Sequence, residues 1–262
     1  MTRRFDILPL GVGDYFSRRH YHTSFVLFLG DQTVGIDCPA PYRRMLSEAG
    51  NKAGMPLDYA QVDKLILTHL HGDHSNGLEE WLLYRYFILK QRPTIYTSPE
   101  VAADLWEHKL SCSLIWNSKD YNVGERTHTA EDFYELVEVP CGSSFEIGSA
   151  RFETRQTIHP LPTFGLKVHH EDMILGYSCD TAFDPGHIEW LSEADLILHE
   201  CNMGPHTGYD DLVGLDASLR ARMRLVHVSE DFDISGSVIP VVEQGRLISL
   251  LGGIKNFGAR GF

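Results

Sequence analysis

The chain has 262 residues, 43% of them hydrophobic, enough to bury a large core in one or two domains, and its composition gives no sign of disorder. A formal charge of −13 makes the surface as a whole repel polyanions, so long nucleic acid is disfavoured as a partner except through a local basic patch or bound metal. The start, Met-Thr-Arg-Arg and then strand-like sequence, lacks a signal peptide's apolar core, and no apolar run approaches membrane-spanning length. Five scattered cysteines (Cys38, Cys112, Cys141, Cys179, Cys201) fit reduced thiols better than a disulfide framework, so a cytoplasmic protein without membrane attachment is expected.

Residues 5–10 read as a strand, Gly11-Val12-Gly13 as a turn, and residues 24–29 and 34–37 as a hairpin around Gly30-Asp31. The basic, aromatic segment Arg18-Arg19-His20-Tyr21-His22 falls in the loop between them; it is either a solvated turn or a substrate contact through Arg18, Arg19, His20 and His22. Residues 42–49 look helical, and 62–68 form an apolar strand running into His69-Leu70-His71-Gly72-Asp73-His74. Leu78, Leu82, Leu83, Tyr86, Phe87 and Lys90 then repeat at helical spacing until Pro93. A short strand at 94–97 and an amphipathic helix at 99–110 precede an irregular stretch, and the segment 110–126 is a candidate cover for the site. In the second half, 133–139, 144–147, 150–158, 166–169 and 173–178 read as strands. Helices at 188–192 and 211–221 flank a buried strand at 195–199, another strand follows at 224–228, and 231–251 reads as two strands around Gln244-Gly245. No linker or repeat divides the chain, so a single domain over 1–262 is expected, with two sheets packed face to face and helices outside, an α+β arrangement.

The loop after the strand at 62–68 carries the chemistry. In extended chain, residues two apart point to the same side, so His69 and His71 can close on one ion while Asp73 and His74, beyond Gly72, turn onto a second. Imidazole and carboxylate suit zinc, iron or manganese, and no cysteine in the loop demands a thiolate site. Most of the fourteen histidines must be bland, but His159, Asp180 and His227 each sit at a strand end, where α/β folds present functional side chains.

The His-x-His-x-Asp-His loop followed by His159, Asp180 and His227 resembles the metallo-β-lactamase superfamily of metallohydrolases, over nearly the whole chain. The resemblance implies a four-layer αβ/βα sandwich with two divalent metal ions, zinc first among the candidates, at one edge. By the same resemblance His69, His71 and His159 hold one ion, Asp73, His74 and His227 the other, and Asp180 bridges them; Asp37 supports the loop from below. The stretch Asp195-Leu-Ile-Leu-His199-Glu200-Cys201-Asn202, with His206-Thr207 and Leu225-Val-His227-Val-Ser229 after it, is similar to the phosphodiesterase branch that includes ribonuclease Z. In that branch the histidine matching His206, oriented by the carboxylate matching Glu200, protonates the leaving oxygen. His199 is expected to pack and Cys179 to be a buried bystander. Only twenty residues separate His159 from Asp180, which leaves no room for the tRNA-gripping arm of ribonuclease Z.

These readings imply a dinuclear phosphodiesterase acting on a small or cyclic, anionic phosphodiester. A hydroxide bridging the metals would attack phosphorus, Asp73 would orient it, and His206 with Glu200 would protonate the departing oxygen. Two alternatives keep the fold: an acyl hydrolase cleaving a lactone, thioester or amide, and an iron-dependent oxidoreductase. A homo-oligomer is left open.

Overall fold

The computed structural model describes residues 3–116 and 126–251. The chain opens with an antiparallel meander, β1 (Phe5–Gly11), β2 (Ser24–Leu29) and β3 (Gln32–Ile36), and passes through α1 (Tyr42–Lys52) into β4 (Lys64–Ile66). The single turn α2 (Gly72–Ser75) and α3 (Leu78–Tyr84) follow, and α3 widens into a π-type turn over Arg85–Leu89. After β5 (Thr94–Thr97) come α4 (Pro99–Asp104), a second π-type turn at Leu105–Leu110, and α5 (Ser111–Leu114). The half ends with α6 (Ala130–Phe133) and β6 (Glu135–Glu138). The second half runs through β7 (Ser144–Ile147), β8 (Ala150–Gln156), β9 (Phe164–His170) and β10 (Met173–Tyr177), then α7 (Pro185–Leu191) and β11 (Leu196–Glu200). It closes with α8 (Tyr209–Val213), α9 (Ala217–Ala221), β12 (Met223–Val226) and β13 (Ile248–Ser249).

Among the described residues these strands form two sheets, one ordered β13-β1-β2-β3-β4-β5-β6 and the other β12-β11-β10-β9-β8-β7. Period-two alternation sorts their side chains into layers. Phe5, Ile7, Phe25 and Leu27 of the first sheet meet Phe152, Leu166, Val168 and Leu175 of the second in a core between the sheets. The alternate residues Leu8, Leu10 and Val26 pack outward against Met45 and Leu46 of α1 and Trp81 and Leu82 of α3. On the far side, Ile197 and Leu225 pack under Ile188 and Leu191 of α7. Helix, sheet, sheet, helix is the resulting order of layers. β3 to β6 pair in parallel, as do β10 to β12, and the carboxyl ends of β3, β4, β10, β11 and β12 feed one edge of the sandwich. Parallel strands open to ligands at that end.

Three elements differ from the sequence reading. The strand expected over 133–139 is shortened because Thr129 and Asp132 form a capping box, Thr129 N donating to Asp132 Oδ2 at 2.9 Å, which winds α6 first. The helix expected over 211–221 is two helices: α8 ends at Gly214, and Asp216 caps α9 by accepting from Ser218 N at 2.8 Å. Of the two strands expected over 231–251, the structure forms the two-residue β13 on β1, plus a bridge between Leu225 and Val241. The candidate cover at 110–126 is helical as far as Leu114, and its residues 117–125 lie outside the described residues.

Gly11 ends β1 at a register shift against β2, and Val12 and Gly13 both donate to Tyr21 O, at 2.9 and 2.8 Å. A Cβ at Gly11 would lie 2.0 Å from the backbone oxygen of His22. Gly11→Ala is expected to destabilise the fold by about 1–3 kcal/mol through forced backbone displacement, read as a lower urea midpoint at unchanged slope.

Candidate metal centre

Each strand end delivers its side chains through a fixed turn. After β4, Thr68 N and Oγ1 donate to Asp37 Oδ1 at 2.8 and 2.9 Å, and His71 caps α2, where His74 N donates to His71 O at 3.0 Å. Asp37, Cys179 and His227, at the ends of β3, β10 and β12, all adopt left-handed backbone (φ 59°, 53° and 54°), an unfavourable state for residues with a Cβ that surrounding structure must impose. Such strain gathers where side chains must be aimed.

The aim is a buried cluster in two halves. His69, His71, His159 and Asp180 have candidate ligand atoms within 4.8 Å of one another, and so do Asp73, His74, Asp180 and His227, with Asp180 common to both. His69 Nε2 lies 3.7 Å from Asp180 Oδ2, His74 Nε2 3.4 Å from Asp180 Oδ1, and His227 Nε2 3.2 Å from Asp73 Oδ2. His74 Nδ1 meets Asp37 Oδ2 at 2.8 Å, which orients the ring and leaves Nε2 facing the cluster. His69 Nε2, His74 Nε2, Asp73 Oδ1 and Asp180 Oδ1 are buried without a hydrogen-bond partner. An unsatisfied buried polar group costs about 1–3 kcal/mol, so several converging on one point fit a ligand, and this nitrogen and oxygen set fits divalent cations.

The electrostatics point the same way. Burial drives His69 well below its ordinary value, with His74 adding to the effect; burial likewise lowers His71 and brings His159 down to about 4. Burial opposes ionisation of Asp180 and Asp73, but the charges of His227 and His74 on the first, and of His74 and the His227 hydrogen bond on the second, hold both below the usual carboxylate range. Neutral His69, His71 and His159 and ionised carboxylates are forms that hold a metal. At His74 and His227 burial is outweighed by the carboxylates, Asp180 first, which raise both values, His227 to about 10, so a cation there would displace their protons.

Beside the cluster, Glu200 is fully buried at the end of β11, bonded through Oε1 to Thr181 N, and its Oε2 meets His206 Nδ1 at 2.7 Å. Burial would lower the His206 value, but the hydrogen bond and charge of Glu200 carry it above the ordinary imidazole range. No hydrogen bond among the described residues engages His206 Nε2. The His206 ring stands 5.0 Å from that of His227 and 5.5 Å from that of His159. A cleft of about 540 Å³ opens from His206 and His227 between the loop at Asp14, Tyr15 and Phe16 and the turn at Met203, Gly204 and Pro205.

The family described as Anti-Pycsar protein Apyc1 matches residues 5–245. The chain belongs to that family. An Anti-Pycsar protein Apyc1 of Bacillus phage 010DV004 is 27% identical over 265 residues, 94% of this chain and 98% of the relative. The cAMP/cGMP-dependent 3′,5′-cAMP/cGMP phosphodiesterase B of Dictyostelium discoideum is 25% identical over 243 residues, 86% of this chain and 20% of that longer protein. Among solved structures, the metallo-β-lactamase fold protein YhfI of Bacillus subtilis matches with a TM-score of 0.70 at 15% identity, over 94% of this chain and 99% of its own. The αβ/βα sandwich expected from the resemblance is therefore the fold of this Apyc1-family chain.

Of the sequence-derived site residues, the structure brings His69, His71, Asp73, His74, His159, Asp180 and His227 together and sets Glu200 and His206 against them. Asp37 lies beneath the loop and His199, with Nδ1 bonded to Glu200 O at 2.7 Å, is buried behind it. Cys179 Sγ sits 3.9 Å from His69 Nδ1, the ring nitrogen opposite the one facing Asp180, and burial pushes its thiol value well up. The basic segment divides. His22 is near enough to Asp73, His74 and His227 to feel their charges, although burial is the larger influence and lowers its value. Arg18, Arg19 and His20, with His22 at its edge, line a second cavity of about 520 Å³, and Arg18 Nη2 donates to Glu230 Oε1 at 2.6 Å. The cleft residues Asp14, Tyr15, Phe16 and Met203 escaped sequence reasoning, since no motif marks them and their loops meet only in the fold. Among the described residues of this Apyc1-family chain, no helix is long and apolar enough to cross a membrane.

Proposed function

We propose that the chain is a metal-dependent phosphodiesterase that opens a small, anionic cyclic phosphodiester, a 3′,5′-cyclic nucleotide. The observation that carries this reading is the Glu200–His206 pair, 2.7 Å between Oε2 and Nδ1, set beside two cation-competent clusters that share Asp180. The named activity of the Dictyostelium relative, which aligns with most of this chain, supports the substrate class. Two divalent ions, zinc or else manganese or iron, held by His69, His71 and His159 and by Asp73, His74 and His227 with Asp180 between them, would neutralise phosphate charge and acidify the attacking water.

The chain's own groups supply the rest. Asp73, with Oδ1 free of protein partners, orients the attacking water. Glu200 keeps His206 protonated, and His206 Nε2 donates to the ribose oxygen as its bond to phosphorus breaks. A proton donor answers the need of an alkoxide leaving group, which is why a phosphodiester fits better than a thioester, whose thiolate departs unaided. Of the basic segment, His22 is the phosphate contact, while Arg18 and Arg19 act at a distance through their hold on Glu230, and His20, whose backbone N donates to Ser17 Oγ at 3.1 Å, shapes the turn. The five free thiols support a cytoplasmic setting.

Zinc- or manganese-loaded protein is expected to hydrolyse cyclic nucleotides and to leave lactones and thioesters intact; turnover of the acyl substrates alone would overturn the proposal. His159→Ala is expected to lower bound metal toward one ion per chain by elemental analysis, and an unchanged metal content would remove His159 from the ligand set.

A further inference from the structure

The cleft beside His206 keeps two large apolar side chains in the open: Phe16 is 83% and Met203 is 78% exposed, and both line the cavity that reaches His206 and His227. Their backbones are tied down. Phe16 N donates to Asp14 Oδ1 at 3.1 Å, Asn202 Nδ2 donates to Asp14 Oδ2 at 3.0 Å, and Met203 N donates to Asn202 Oδ1 at 2.9 Å. One Asp14–Asn202 bond thus links the two loops and sets the spacing between Phe16 and Met203. The Tyr15 ring backs Phe16 at 5.2 Å. The polar groups of the wall are largely spent on protein partners, Asp14 on Asn202 and Glu230 on Arg18, which leaves apolar faces as the chief contacts on offer.

We propose that Phe16 and Met203 form a nucleobase subsite, in which the planar ring of the cyclic nucleotide lies against them while its phosphate reaches the metal cluster. This rests on the phosphodiesterase reading. Aromatic and thioether side chains give polarisable surfaces to a heterocycle, and a cavity of about 540 Å³ lies within the range of small-ligand sites. Continuity with His206 and His227 selects the base of the substrate as occupant over any other apolar group.

The test compares cyclic AMP with methyl riboside 3′,5′-cyclic phosphate, which has the same reacting ring and no base, in metal-loaded wild type, Phe16→Ala and Met203→Ala. Each variant is expected to raise KM for cyclic AMP about tenfold with kcat little changed, to leave the base-free substrate unaffected, and, for Phe16, to recover with Phe16→Tyr. Titration calorimetry with the hydrolysis-resistant Rp phosphorothioate of cyclic AMP should show the same weakening without turnover. Equal losses on both substrates, or no loss on cyclic AMP, would overturn the subsite and leave the phosphodiesterase reading standing. Failure of wild type on both substrates would remove that reading and the subsite with it.

Discussion

Asp180→Asn is expected to lower kcat/KM on a cyclic nucleotide by about a thousandfold or more, because stabilisation of developing charge by a bound metal is worth several kcal/mol and each 1.36 kcal/mol is tenfold in rate. Asp180 is the one side chain common to both halves of the cluster, and its oxygens lie 3.4 Å from His74 Nε2 and 3.4 Å from His227 Nε2. The substitution keeps the shape and the backbone carbonyl that accepts from Thr157 Oγ1 at 2.8 Å, so circular dichroism should report a folded protein. Elemental analysis should show metal lost in step with activity. A variant that kept wild-type activity would mean that the shared carboxylate does not organise the site.

His206→Ala should cost about 10²- to 10⁴-fold in kcat on a cyclic nucleotide, the usual worth of a positioned general acid, with metal content intact. Its signature is dependence on the leaving group. A p-nitrophenyl ester departs as a stable anion, so the same variant should lose far less on bis(p-nitrophenyl) phosphate; an equal loss on both would assign His206 to binding or folding instead. Glu200→Gln adds a test of sign. The bond and charge of Glu200 hold His206 above its ordinary value against the effect of burial, so their removal lets His206 lose its proton at lower pH. The alkaline limb of the kcat profile should therefore move toward acid, and a limb that stayed in place would belong to another group.

How legible these features are in the sequence follows from how local they are. His69 to His74 form one loop, and His159, Asp180 and His227 each follow an apolar strand, so strand ends alone nominate the cluster. The alternation in β1 and β2, which sorts Phe5, Ile7, Phe25 and Leu27 inward and Leu8, Leu10 and Val26 outward, likewise announces a two-faced sheet. The pairing of the basic segment is not local. In sequence Arg18 belongs to a solvated turn or a substrate contact, yet Glu230, 212 residues away, takes its guanidinium. Phe16 and Met203 are ordinary loop residues until the Asp14–Asn202 bond, which spans 188 positions, brings their loops together. The break between α8 and α9 falls at Gly214 and Asp216, local stop and cap residues that interrupt the helix expected over 211–221.

In the proposed reaction, metal held by this cluster directs water onto phosphorus. Hydrolysis of cyclic AMP or cyclic GMP by the metal-loaded protein in ¹⁸O-water, followed by ³¹P NMR, tests it most directly. The expected product is a nucleoside monophosphate carrying one ¹⁸O on phosphorus, with none formed after chelation. A cyclic nucleotide left intact by fully loaded protein, or a product whose phosphate carries no label, would contradict it.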